Sequence, residues 1–259
     1  LYSTSVIGLT NMAEIQVQSN YFNRKSFEIP ASLSITDSNK IKSEGLHHLD
    51  DVIHKTSSIT IAGGANRSRY YQYSGVPNHS VGLYIDDINF SGLGGVASLF
   101  DVSQVEVLRG SQGTKFGSNA LGGIINIHTN GTKQSGGEAL LGYGNYNTSN
   151  LGLAYGENEA SLSKISYRIS LNHNGSDGHM KNSSLNKEDT HGLDEWSSKL
   201  KLSLAPNTSF KIDLTTLFFD FDNGYDAWTM DNGIKSRSDK PGKDQQKSIA
   251  QGIKIKKKF

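Results

Sequence analysis

Beyond residue 136 the chain alternates apolar and polar residues in strand-length segments. Ile165, Tyr167, Ile169 and Leu171 interleave with Lys164, Ser166, Arg168, Ser170 and Asn172. Trp196, Leu200, Leu202 and Leu204 interleave with Lys199, Lys201 and Ser203, and Phe210, Ile212 and Leu214 with Lys211, Asp213 and Thr215. Near the end, Ile249, Ile253 and Ile255 alternate with Ala250, Gly252, Lys254 and Lys256. Side chains on a strand point to opposite faces in turn, so each segment predicts a strand with one apolar and one polar face. With 139–144 and 150–156, six such strands are expected.

The connections carry a second signal. Residues 158–162 and 205–209 are short links, whereas 173–194 and 222–246 are long and polar. Short turns at one end and long loops at the other are the arrangement of an outer-membrane β-barrel. A soluble β-sandwich alternates in the same way, so this half alone leaves both open.

Residues 1–135 read differently, as a mixed α/β unit. Short runs rich in β-branched residues at 32–36, 58–62, 81–85, 104–108 and 123–129 predict strands. Between the first two, Leu46, Leu49, Val52 and Ile53 share one face of an expected helix that also carries His47 and His48. Asp37 or Ser38 is a candidate cap. Residues 1–10 lack a basic stretch and hold only a short apolar run, so they predict an exposed tail or the remnant of a trimmed precursor rather than a secretory signal.

Composition narrows the chemistry. The 28 glycines against 4 prolines in 259 residues suit strands and turns better than helices. With 26 Lys and Arg against 25 Asp and Glu, nothing draws the chain as a whole to nucleic acid. The basic end, Lys254 to Lys258, alternates, which places Lys254 and Lys256 together on one strand face, the expected lumen. With no cysteine, disulfide scaffolds, thiolate zinc sites and thiol catalysis are excluded. No apolar run is long enough for a transmembrane helix, which leaves barrel strands open.

Several motif-like stretches fail on spacing. Residues 110–115 are too short for a phosphate loop, and 92–95 lack the last glycine of a dinucleotide fingerprint. In 220–226 the glycine comes one place too early for a calcium-binding turn, so solvated loop carboxylates are expected and no metal site. The 8 histidines are scattered, although a loop histidine such as His173, His179 or His191 could touch a ligand. No Ser–His–Asp arrangement can be assembled, and the chain is read as neither an enzyme nor a cofactor protein.

The most specific stretch is 105–129, VEVLRGSQGTKFGSNALGGIINIHT. It resembles the end of the plug domain of TonB-dependent outer-membrane receptors, V-E-V-L-R-G-P-x-x-x-L-Y-G-x-x-A-x-G-G-x-I-N-I-x-T. Glu106, Arg109, Gly110, Gly117, Ala120, Gly122, Gly123, Ile125 and Asn126 match. Residues 81–89 resemble the family's V-x-V-x-I-D-G-V element, with Asp86 at the acidic position, and 30–53 resemble the opening of the plug. Departures are Ser111 for the usual proline, Lys115-Phe116-Gly117 for L-Y-G, and the absence after Gln72 of an I-R-G element with its second arginine. Residues 13–19, Ala13, Glu14, Ile15, Gln16, Val17, Gln18 and Ser19, resemble a TonB box; the plain alternative is a first strand of the plug.

The resemblance implies an N-terminal segment with a TonB box at 1–20, a mixed α/β plug at 21–135 and the first part of a transmembrane antiparallel β-barrel at 136–259. About 22 strands surround a plug in such receptors, so six imply a truncated barrel with exposed edges. Gly110, Gly117, Gly122 and Gly123 would supply positive φ and close backbone approach. Arg109 would be a latch needing a carboxylate partner, supplied in the family by barrel glutamates. Arg67, Arg69, Tyr70, Tyr71, Tyr73, Asn89 and Phe90 would face ligand from the plug loops.

The implied function is TonB-dependent uptake of a scarce nutrient, typically an iron–siderophore complex, by a monomer in the outer membrane of a Gram-negative bacterium. The implied partners are TonB with ExbB and ExbD, outer-membrane lipid, and an extracellular ligand that is a metal chelate. A secreted or periplasmic β-rich binding module, or a degenerate receptor that transports nothing, are the alternatives.

Overall fold

The computed structural model describes residues 32–62, 70–73, 81–91, 98–111, 116, 120–158, 165–207, 209–225, 233–240 and 242–257. Its first half contains β1 (Ser32–Asp37), α1 (Ser38–Ser43), α2 (Leu49–His54), β2 (Ile59–Ala62), β3 (Tyr70–Tyr73), β4 (Val81–Ile85), β5 (Ile88–Asn89), β6 (Val102–Arg109) and β7 (Gly123–Thr129). The second half contains β8 (Gly136–Gly144), β9 (Thr148–Asn158), β10 (Ile165–Ser176), β11 (Met180–Asn182), β12 (Lys187–Thr190), β13 (Leu193–Asn207), β14 (Phe210–Gly224), β15 (Lys235–Ser236) and β16 (Lys243–Lys257).

The plug half is a five-stranded sheet in the order β1-β6-β7-β4-β5, with β2 and β3 forming a separate hairpin. Only β4 and β7 run parallel. Both are buried along their whole length, as continuous apolar runs in a covered sheet centre should be. The helix expected around 46–53 is the shorter α2, and a second short helix, α1, precedes it. Asp37 caps α1 by accepting from Lys40 N at 2.8 Å. Beyond α1, Asp51 Oδ2 accepts from the backbone N–H groups of both His47 and His48 at 2.9 Å. That carboxylate holds the two histidines in the entry to α2, not on a helix face. Leu46, Leu49, Val52 and Ile53 still reach the core together, so the periodicity located the buried face correctly.

Gly123 is where the motif's glycine is demanded by geometry. Its φ is +151°, and a Cβ would sit 2.4 Å from the Leu108 carbonyl oxygen of the paired strand. Gly123→Ala is therefore expected to cost about 3 kcal/mol through strain and displaced backbone, read as a lower urea midpoint. Gly110 also has positive φ, at +94°, while at Gly122 the carbonyl is used, accepting from Gly110 N at 2.9 Å.

The second half is a meander, β8-β9-β10-β13-β14-β16, of six antiparallel strands 9 to 15 residues long. A tilted membrane-spanning strand needs about 9–11. β8 and β16 are the edges, and the sheet does not close. Its faces are inverted relative to a soluble sandwich. Leu153, Ile169, Leu171, Ile249 and Ile253 are exposed, while Arg168, Ser170, Asn172, Asn174, Glu195, Ser197 and Lys199 are buried against the plug. Apolar outside and polar inside is the pattern of a lipid-facing barrel wall. No helix of the described residues is long and apolar enough to cross a membrane.

One strand breaks the rule. Leu217, Phe219 and Phe221 of β14 point inward and join the plug's core, where Phe219 meets Phe90 edge-on at 5.6 Å between ring centroids. The ends of β9 and β10 and of β13 and β14 meet at the turn end, and the two long stretches that carry β11, β12 and β15 lie at the other. An added short turn, 145–147, lies at the loop end and uses positive φ at Tyr146 and Asn147. The long loops are tied together by β11, which pairs with β12 antiparallel and β15 parallel.

Candidate functional site: the plug–wall contact and a loop-end cleft

Because side chains alternate, Lys199 and Lys201 of β13 both face the plug, and Arg168 of β10 lies beside Lys201 in register. Three cations on a buried wall require anions or carbonyls opposite them. Arg168 Nη2 and Nε donate to Asp101 Oδ1 at 2.6 and 2.9 Å, and Nη1 donates to the Gln134 carbonyl at 3.2 Å. Both side chains of that pair are only 3% exposed. Lys199 Nζ donates to the Phe100 carbonyl at 2.5 Å.

Lys201 Nζ reaches Asp86 Oδ1 at 2.9 Å and the Thr129 carbonyl at 3.1 Å. Asp86 also accepts from the N–H and hydroxyl of Thr129, at 3.0 and 2.7 Å, which ties the ends of β4 and β7 to the wall. Asp86 and Asp87 have φ of 50° and 68°, the two positive values of a tight hairpin turn. This turn aims Asp87 at Lys254 of β16, 3.2 Å away. The reading of Lys254 as lumen-facing is met here.

The barrel glutamates expected to latch Arg109 would lie on strands other than these six. The Arg109 guanidinium donates to the hydroxyls of Ser32, at 2.7 Å, and Ser34, both on the adjacent β1. No carboxylate holds it among the described residues, because β1 supplies hydroxyls where the side chain lands. Between the plug and these six strands, the acid–base contacts are made by Asp101, Asp86 and Asp87. Their signal in the sequence was the set of cations on polar-face positions, Arg168, Lys199 and Lys201.

Other motif residues act inside the plug. Glu106 is fully buried, accepts from Gln104 Nε2 at 2.5 Å, and lies 3.3 Å from His128 Nε2. Asn126 pairs with Glu106 across β6 and β7 and donates to Asp87 at 3.3 Å. Ala120 is buried with Tyr84, Leu108 and Ile124. The Tyr84 hydroxyl donates to the Phe116 carbonyl at 2.7 Å, and burial pushes its pKa up.

The expected ligand-facing set is largely corrected. Tyr71 and Phe90 are buried core residues, and Tyr73 packs against that core, because both flanking strands turn these rings inward. Exposed Asn89 accepts from Ser91 N at 2.8 Å as part of its own turn. Tyr70 ends β3. Arg67, Arg69, Gly117 and residues 13–19 lie outside the described residues, as does 92–95. In the 220–226 stretch, Asp220 pairs with Lys247 at 2.8 Å and Asp222 accepts from Gln245 at 2.8 Å.

A cleft of about 310 Å³ opens at the loop end between α2 and the wall. Its lining includes His48, Asp50, Asp51, His179, His191, Glu195, Asn223, Tyr225 and Asp244. The rim depends on Gly178, at φ +97°, where a Cβ would sit 2.2 Å from the Thr190 carbonyl oxygen. This contact brings the start and end of the first long loop together and leaves His191 at φ 70°. His191 lies within a row of tilted and edge-on rings: centroids are 6.1 Å apart for Tyr146–His179, 6.1 Å for His179–His191 and 6.2 Å for His191–Tyr225. Among the described residues, no three His, Asp or Glu side chains are arranged to hold a metal ion.

Comparison with known proteins matches this architecture. The family model of the TonB-dependent receptor plug domain covers residues 25–124. The pesticin receptor of Yersinia pestis is 40% identical over 73 residues, 28% of this chain and 10% of that protein. The ferripyoverdine receptor of Pseudomonas aeruginosa is 28% identical over 130 residues, 46% of this chain and 15% of that protein. The chain thus matches only a small part of these relatives' length. Among solved structures, the ferric yersiniabactin uptake receptor of Yersinia pestis has a TM-score of 0.73 at 22% identity, covering 88% of this chain and 38% of that one. The ferripyoverdine-bound receptor of Pseudomonas aeruginosa has a TM-score of 0.70 at 17% identity, covering 90% and 32%. Such identities show a shared fold, and the matched fold is a plug seated against the opening strands of a barrel. Residues 25–124 thus match the TonB-dependent receptor plug domain, and the chain around them has the fold of that plug against the opening strands of a receptor barrel.

Proposed function

We propose that the chain is the gating part of a receptor that takes up a scarce nutrient, with a plug at 21–135 and barrel strands from 136. The nutrient is a metal chelate, an iron–siderophore complex in the finer reading. TonB, driven by ExbB and ExbD, draws on residues 13–19 and remodels the plug of a monomeric receptor. The observation that carries this reading is the contact between plug and wall. It includes charged and hydrogen-bonded pairs, Asp101–Arg168, Asp86–Lys201 and Asp87–Lys254, which discrete exchanges can break and remake. The ligands of the similar receptors, ferripyoverdine and ferric yersiniabactin, support the chelate class.

Growth of a deletion strain on a panel of iron chelates, cobalamin and oligosaccharides tests the proposal. Loss of growth on one iron chelate, restored by the gene, is the expected result. Unchanged growth on every member overturns the transport reading. The rival, a soluble binding module, is opposed by the exposed Leu153, Ile169, Ile249 and Ile253, and recovery from the periplasm without detergent would favour it.

A further inference from the structure

We infer that the turn end of the wall is an anion site, which the plug's aspartates occupy at rest and the carboxylates of an anionic chelate take over as the plug moves. The inference rests on the uptake reading above and adds the charge of the cargo and the place where it passes. Inward positions recur every second residue along a strand, and register aligns them across the wall. Arg168 lies opposite Lys201, and Lys199 is one inward position nearer the loop end. Lys254 lies opposite Asp213, and Lys211 opposite Lys256. These six cations, on β10, β13, β14 and β16, occupy four successive inward rows over about 20 Å.

Most of the negative charge that faces them comes from the plug. Asp101 holds Arg168, Asp86 holds Lys201 and Asp87 holds Lys254, while Lys199 meets the Phe100 carbonyl. Among the described residues, the wall itself places one carboxylate in these rows, Asp213, which pairs with Lys211 at 2.7 Å. Glu138 lies on β8, two strands beyond β10, and pairs with Lys42 of the plug. Three plug acids thus meet only half of the six cations, a surplus that a latch does not require.

A cavity of about 650 Å³ opens beside the turn-end rows, where five lysines face Asp86, Asp87 and Asp213. A small organic ligand fits such a volume. When Asp86, Asp87 and Asp101 withdraw with the plug, six cations remain opposite one carboxylate. Unpaired cations on a partly desolvated wall are costly, and anionic groups of the cargo remove that cost. A cationic cargo would be repelled by the same rows, and a neutral one would leave them unpaired. The preference is local to the turn end, because the inward carboxylates Glu195 and Asp244 lie nearer the loop end.

The test titrates the full chain in detergent calorimetrically, at pH 7 and low ionic strength, with citrate and with its uncharged triamide. Citrate should bind at least about tenfold tighter than the triamide. Asp87→Asn removes a carboxylate that competes for Lys254 and should tighten citrate about threefold. Asparagine keeps an acceptor for Asn126 and tolerates the φ of 68° at this position. Lys256→Gln, at an exposed position, is a second route and should weaken citrate about threefold. Cations that serve only to latch the plug would give no gain with Asp87→Asn. The inference is overturned if the triamide binds as well as citrate, if citrate gives no saturable heat, or if folded Asp87→Asn and Lys256→Gln both bind like the parent. Failure of the uptake reading is separate: it shows as unchanged growth on the nutrient panel while the preference for citrate in detergent persists.

Discussion

Asp101→Asn is expected to destabilise the plug–wall contact by about 3 kcal/mol, although it removes a charge and almost no volume. Arg168 would remain on the wall at 3% exposure with its carboxylate gone, keeping only an amide oxygen and the Gln134 carbonyl. Breaking one side of a buried ion pair is far more damaging than removing both. Asparagine suits this site because position 101 has φ 57°, which asparagine tolerates better than most residues, so the loss reports charge and not backbone strain. Asn130, which donates to Asp101 Oδ1 at 2.8 Å, can still find an oxygen there. Combining Asp101→Asn with Arg168→Met should recover much of the loss. Asp87→Asn is the reference, because its Lys254 partner is 56% exposed and solvent-screened pairs contribute about 0–1 kcal/mol. Urea unfolding of the detergent-solubilised chain separates these cases. Equal midpoints for Asp101→Asn and Asp87→Asn would remove Asp101–Arg168 from the latch.

The wall strands were legible because a strand's period is two and every lipid-facing position must be apolar. Ile165, Tyr167, Ile169 and Leu171 satisfy that rule without knowledge of the plug. The upper part of β14 did not, since Leu217, Phe219 and Phe221 occupy inward positions that only a neighbouring apolar plug surface can cover. The helix through Leu49, Val52 and Ile53 was legible, but its late start at Leu49 has a local cause. Asp51 caps the chain ahead of α2, and such side-chain-to-backbone bonds compete with helix continuity without altering hydrophobic spacing.

Pairs distant in sequence were the least legible. Alternation put Arg168 on the polar face of its strand, but nothing in it says that the partner is Asp101, 67 residues earlier. Arg109, read as needing a carboxylate from further barrel strands, meets hydroxyls within these residues, because the register of β1 against β6 sets Ser32 opposite it. The loop-end cleft draws on α2, β13, β16 and both long loops, so no single stretch of sequence carried its signal.

Val17→Pro is expected to abolish uptake in the full-length receptor while leaving surface binding of ligand near normal. On the reading proposed for residues 13–19, the segment is captured by strand addition, in which consecutive backbone donors and acceptors pair with an exposed sheet edge of TonB. Proline removes one donor and fixes φ, interrupting such a ladder whatever the side chains do. Ile15→Ala keeps every backbone group and should be milder. The segment precedes Ser32, where the described plug sheet begins, so the bonds of Asp86, Asp101 and Arg168 should be unaffected. Radiolabelled ligand bound to cells at low temperature, compared with ligand accumulated by energised cells, separates the two steps. Parental accumulation by Val17→Pro would return residues 13–19 to the status of an ordinary plug strand, whereas loss of both binding and accumulation would show that the segment supports the folded plug itself.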